Sequence, residues 1–215
     1  MGMQAGSPKW RRRAEARPGE IIQAAFDVFA EKGFAAAKLD EIAAKAGISK
    51  GALYLYFETK EDLFRAVVRE AVAPNLDVVE FTLEAASVPF PDLLRMLFAR
   101  LALIIETSRL GAVAKLVIGE SRNFPELARV WHDEVVSRAL AALTKALARA
   151  QSRGEVRIGD PRLQAFSIMG PILLGVLWQE TFTPIGAPPL DLRGLIVQHR
   201  ETVLEGLTPQ PVMLP

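Results

Sequence analysis

The chain has no cysteine among its 215 residues. Disulfides, thiolate metal sites and thiol redox chemistry are therefore excluded. Histidine is almost as scarce. His132 and His199 stand far apart, and the run His132-Asp133-Glu134 puts consecutive residues on different faces of a helix, which is poor geometry for one metal ion. There is no Gly-rich phosphate loop, no nucleophile elbow and no metal-ligand spacing, so neither catalytic residues nor a metal or cofactor are expected. Valine and isoleucine do not alternate with polar residues, and no run reads as a strand. The basic segment from Met1 to Pro18 has no apolar core of the kind a secretory signal needs. The longest apolar stretch, Leu163 to Trp178, is shorter than the roughly 20 residues of a membrane span and contains Gln164, Ser167 and Pro171. It is read as a buried helix, with no membrane partner and a cytoplasmic location.

What is present points to helix. Half of the residues are hydrophobic, chiefly alanine and aliphatics, enough for a sizeable core. The net charge of +1 hides an asymmetry. Up to residue 60 there are ten Lys/Arg against seven Asp/Glu, and beyond it sixteen against eighteen. A nucleic-acid contact confined to one end has this pattern.

Apolar residues at helical spacing (Ile21, Ile22, Ala25, Phe26, Phe29) predict a first helix over 19–32, ended by Gly33. Two short helices follow at 40–46 and 50–56, separated by Gly47-Ile48. A fourth starts after Thr59, which can cap it, with Glu61 and Asp62 in the first turn and Pro74 limiting or bending it. Further helices are predicted at 91–107, 111–121, 124–152, 160–182 and 190–206. The resulting division is a basic flexible tail (1–18), a small helical module (19–62) and a larger helical domain (63–215).

The segment from Leu39 to Tyr54 has the build of a helix-turn-helix. Small residues (Ala43, Ala46) permit a close crossing, a glycine turn and the apolar plug Ile48 follow, and Ser49 caps the second helix. Leu53 and Phe57 can anchor that helix. Lys50, Gly51, Tyr54 and Leu55 are left on its free side.

Gly33-Phe34, Ile42-Ala43, the run Ala46 to Phe57 (AGISKGALYLYF) and Lys60-Glu61-Asp62-Leu63 together resemble the signature of the tetracycline-repressor (TetR) family over residues 20–68. The resemblance implies an all-α protein: a three-helix DNA-binding module joined by a fourth helix to a helical domain that binds a small-molecule effector and forms a homodimer. On that basis the operator-contacting residues are Lys38, Ser49, Lys50, Gly51, Tyr54, Tyr56 and Lys60. Lys50 can donate to guanine and Gly51 lets the backbone approach the bases. Tyr54, Tyr56 and Ser49 match positions reaching phosphates through hydroxyls, and Lys60 matches the family's phosphate-binding lysine. Lys38 departs from the pattern, which has Thr or Ser there. The cap of the second helix is then expected from Asp40, with Lys38 meeting phosphate by charge.

The resemblance also implies a dimer built from the last two helices, 160–206. Helix 160–182 is apolar nearly all round, which suits burial on two sides. It implies a ligand cavity as well, for which Phe98, Leu101, Ile105, Leu116, Glu120, Trp131, Val135, Met169 and Leu173 are the candidate lining. The expected activity is that of a ligand-responsive regulator of double-stranded operator DNA, a repressor released by a small apolar or amphipathic effector.

Overall fold

A computed structural model describes residues 9–84 and 88–209, and among these there are helices and no strand. The first helix, α1 (Lys9–Ala36), begins ten residues before the expected start. Arginine, alanine, lysine and glutamate dominate residues 9–17 and are strong helix formers, which accounts for the extension. Of the tail expected at 1–18, residues 1–8 lie outside the described residues and 9–18 are helical. Gly33 leaves the helical conformation at φ 78°, where a side chain would be strained, and so ends the regular part of α1 as its position suggested.

Next come α2 (Leu39–Lys45) and α3 (Lys50–Tyr54), joined through Gly47 at φ 69°. The fourth helix, α4 (Lys60–Glu84), passes through Pro74 rather than stopping there. Proline removes one intrahelical bond, at the Glu70 carbonyl, but Val67 and Val68 before it and Leu76 and Val79 after it are buried and hold the rod in place. The remaining helices are α5 (Phe90–Thr107), α6 (Leu110–Glu120), α7 (Pro125–Trp131), α8 (Ser137–Ser152), α9 (Pro161–Thr181) and α10 (Leu192–Leu207). The expected single helix over 124–152 is α7 and α8 joined by a π turn at His132–Val136.

Two hydrophobic cores form. One gathers Phe29, Phe34, Ile42, Leu53, Leu63 and Phe64 of the first four helices with Val113 and Val117 of α6 and Leu127 and Val130 of α7. The other joins the far half of α4 (Val79, Leu83) to α5, α8, α9 and α10. Thus α4 spans both, and α6 and α7 belong in part to the N-terminal core although they lie beyond residue 62.

Candidate DNA-binding face and effector cavity

The helix-turn-helix is built as its residues require. Ser49 Oγ accepts from the Ala52 N–H at 3.2 Å, capping α3 and leaving its own proton free. Leu53 is fully buried and Phe57 packs beside it. The other side of the helix faces solvent: Tyr54 and Tyr56 are exposed, and Leu55 is 85% exposed. Gly51 is exposed too, and a Cβ built on it would meet nothing within 4 Å. The fold therefore does not need glycine there.

Lys50 is held by the Asp40 carboxylate at 2.7 Å, whose hydrogen bond and charge raise its pKa above the usual lysine value. Asp40 consequently does not cap α2, and no side chain does: Lys38 occupies the cap position, exposed, through its backbone carbonyl alone. Lys38, Ser49, Lys50, Gly51, Tyr54 and Tyr56 are thus all accessible.

Lys60 is placed differently. Its ammonium donates to three backbone carbonyls, of Phe34 at 2.6 Å, Ala37 at 3.2 Å and Ala35 at 3.3 Å, and lies 4.4 Å from the centre of the Phe34 ring. An ammonium has three donors, so this set engages all of them, and in the DNA-free protein Lys60 fastens the Phe34–Ala37 segment at the end of α1. Burial pushes its pKa down, and the charges of Glu61 and Glu120 pull it part of the way back. The N-terminus of α4 beside it is closed by Thr59 and Asp62, whose side chains each accept the other's backbone N–H, at 3.0 and 3.2 Å.

In the C-terminal half an apolar cavity of about 210 Å³ lies between α5, α6, the π turn, α8 and α9. A second chamber of about 100 Å³ lies beside it towards α4 and shares Leu101, Leu110, Val135, Ala139 and Met169 as lining. Of the expected lining, Leu101, Ile105, Trp131, Val135, Met169 and Leu173 are brought together here. Phe98, Leu116 and Glu120 are not. Phe98 is buried one turn earlier on α5, against His199 at 5.7 Å between ring centres. Leu116 packs on the N-terminal core. Glu120 accepts from the Ala35 N–H at 3.2 Å. Ala114 and Ala139 were missed, and they create space by being small; alanines on otherwise large apolar faces were the available signal. Apart from Asn75 in the smaller chamber, every lining residue is apolar. A charge carried deep inside would have no partner, so the cavity suits an apolar body with any polar group at an opening. Arg138, the nearest strong cation along α8, is already engaged by Glu80 at 2.5 Å and Asp77 at 2.7 Å.

The helix α9 buries one face (Ala165, Ile168, Ile172, Val176) and exposes another made of Leu163, Phe166, Leu173 and Leu174, the last 66% exposed. Gly175 lets α10 approach so closely that a Cβ there would stand 2.6 Å from Leu192. With the turn that follows, the segment Pro161–Ile185 is long and apolar enough to cross a membrane, longer than the stretch counted in the sequence. Its buried face packs on the amphipathic helices α6, α8 and α10, which carry charges of their own.

A helix-turn-helix with an exposed recognition helix, joined to a helical body enclosing an apolar cavity, defines a DNA-binding transcriptional regulator rather than an enzyme. Residues 21–67 match the family described as bacterial regulatory proteins of the tetR type, and residues 92–197 match the AefR-like transcriptional repressor C-terminal domain. The chain is 32% identical over 155 residues to the HTH-type transcriptional repressor BepR of Brucella suis, covering 67% of this chain and 73% of that one. A TetR-family regulator of Mesorhizobium loti, of known crystal structure, superposes with a TM-score of 0.72 at 29% identity, covering 90% of this chain and 95% of the other. The regulator FadR of Bacillus subtilis, solved in complex with stearoyl-CoA, is alike in fold, with a TM-score of 0.70 at 24% identity over 88% of this chain and 98% of that one. The protein belongs to the TetR family of transcriptional regulators. That family consists of DNA-binding regulators, not enzymes.

Proposed function

We propose that the protein is a cytoplasmic, ligand-responsive repressor that binds a pseudo-palindromic operator as a homodimer through residues 160–206 and leaves it when a small apolar or amphipathic effector fills the cavity. The exposed set Ser49, Lys50, Gly51, Tyr54 and Tyr56, outside the core and rich in donors, carries the DNA-binding reading. Lys50 and Gly51 at the start of α3 meet base edges, and Tyr54, Tyr56, Ser49 and Lys38 meet phosphates. The bare apolar face of α9 supports the dimer, because contiguous apolar surface of this kind is seldom left in water. A two-fold dimer presents two recognition helices to half-sites about one helical turn apart. The apolar lining supports an effector with a hydrophobic body, and the stearoyl-CoA bound by the Bacillus subtilis regulator makes long-chain acyl compounds the first to try.

Selection of bound DNA from a random pool tests the reading. The expected result is a two-fold motif with half-sites about 10 base pairs apart, and loss of binding when stearoyl-CoA or another apolar compound occupies the protein. Enrichment of no motif, or of a single asymmetric half-site, overturns the operator and dimer assignment. An operator complex indifferent to every compound that binds the C-terminal half overturns the effector assignment.

A further inference from the structure

We infer that Glu120 is a positioning residue for DNA binding: from the C-terminal end of α6 it grips the Gly33–Ala35 turn and so fixes the attitude of α2 and α3 towards the operator. The inference rests on the DNA-binding reading above, and it concerns a residue that the sequence suggested for the cavity instead.

The kink at Gly33 near the end of α1 decides how the helix-turn-helix sits on the body, because only Ala37 and Lys38 separate α1 from α2. Two opposite charges hold it from different helices. The Lys60 ammonium, at the start of α4, takes the carbonyls of Phe34, Ala35 and Ala37. The Glu120 carboxylate, at the end of α6, takes the Ala35 N–H, and a Cβ on Gly33 would stand only 2.8 Å from its Oε1. Phe124, just beyond α6, closes over Phe34 at 5.0 Å between ring centres. Glycine at position 33 thus serves both the left-handed backbone and the close approach of the carboxylate.

The other end of α6 is tied to α1 as well. Arg109, its N-terminal flanking residue, pairs with Asp27 and lies over the Phe26 ring at 4.8 Å. Meanwhile α6 touches α9 on its opposite side: a Cβ on Gly111 would stand 2.8 Å from Val176, and Lys115 donates to the Glu180 carbonyl. Leu110 and Ala114 on this helix line the cavity. From Ala114 to Glu120 is six residues, roughly 9 Å along the axis. Hence α6 is a strut with cavity and α9 on one side and α1 on the other, and Glu120 is its contact with the turn that aims the DNA-binding helices. A carboxylate there sets geometry without touching DNA.

A positioning role predicts a change in spacing preference rather than in base preference. The test uses the full-length protein and the selected operator, compared with one duplex carrying an extra base pair between half-sites and another carrying one altered base within each half-site. The wild type is expected to reject both by about tenfold or more. Glu120→Ala should lower rejection of the misspaced duplex about fivefold or more while keeping rejection of the altered-base duplex. Glu120→Gln, which retains an acceptor for the Ala35 N–H, should stay near the wild type. Arg109→Gln, which loosens the other end of α6, decides the matter if Glu120→Ala does not fold. Unchanged spacing rejection in the variants overturns the inference, as does equal loss of spacing and base rejection, which would mark general loosening. Failure of the wild type to select any operator defeats the DNA-binding reading itself and is distinguished by occurring before any substitution.

Discussion

Replacing Lys60 by methionine separates two roles that look identical in the sequence. Methionine keeps most of the stem and removes the ammonium, leaving the Phe34, Ala35 and Ala37 carbonyls without their donor. A hydrogen bond to a charged group contributes about 1.5–3 kcal/mol when buried, and the cation over an aromatic ring adds about 0.5–1 kcal/mol. The group is partly exposed, so solvent replaces some of what is lost and the three bonds do not count in full. A net destabilisation of about 2 kcal/mol is expected, equivalent to a fall in Tm of about 4–8 °C for a chain of this size. Thermal and urea unfolding followed by circular dichroism measure it, at fixed protomer concentration because dimerisation contributes to apparent stability. Operator binding measured against salt supplies the second reading. A lysine that neutralises a phosphate contributes about 0.9 to the slope of log K against log salt, and its removal would flatten that slope with stability intact. If Lys60→Met leaves Tm within 1 °C and flattens the salt slope by about one unit, the fastening role argued from the three carbonyls is wrong.

Gly51→Ala should leave stability unchanged or raise it by up to about 1 kcal/mol, since a Cβ there meets nothing, while operator affinity falls; equal affinity would show that the backbone need not approach the bases. Asp40→Asn releases Lys50 and removes a negative charge beside the recognition helix, so operator binding at low salt should tighten without a change in Tm. Ala139 lines both chambers, so Ala139→Phe should occupy their space and abolish effector response while operator binding persists, at a cost of about 1–3 kcal/mol in stability from overpacking. The hydrogen bond from Arg69, with its charge, holds the Glu134 carboxyl below the ordinary range against the opposing push of partial burial. The stabilisation it lends is therefore present above the ordinary glutamate value and lost as pH falls through the depressed one. Glu134→Gln should be less stable than the wild type at neutral pH and equal to it in acid.

The N-terminal module was legible because its residues act locally. Gly47 takes the left-handed turn, Ser49 caps α3 and Thr59 caps α4, each through a bond to a backbone group within three residues. Helix boundaries in the C-terminal half were legible from apolar spacing and from Gly and Pro breaks, to within about two residues. What escaped depended on distant partners. Lys60 reaches back 26 residues to Phe34, and Glu120 reaches back 85 to Ala35, so neither pairing leaves a trace in local sequence. The cavity was half legible: large apolar residues marked its walls, but the room inside comes from Ala114 and Ala139, which look like ordinary helix formers. Likewise, the uniform apolarity of α9 announced two burial demands without saying which face met its own chain.

The π turn at His132–Val136 gives one continuous helical rod two different sidedness rules. Before it, Leu127 and Val130 point into the core of the DNA-binding half; after it, Leu143, Ala146 and Leu147 point into the core of the other. An α-helix turns about 100° per residue, so a single residue gained or lost within these five positions re-aims everything downstream by that amount. The segment therefore works as a phase correction between two packing patterns. Val135 and Val136 of the turn stand on the cavity wall beside Trp131, the last residue of α7, so two of the five residues that shift the phase also bound that space.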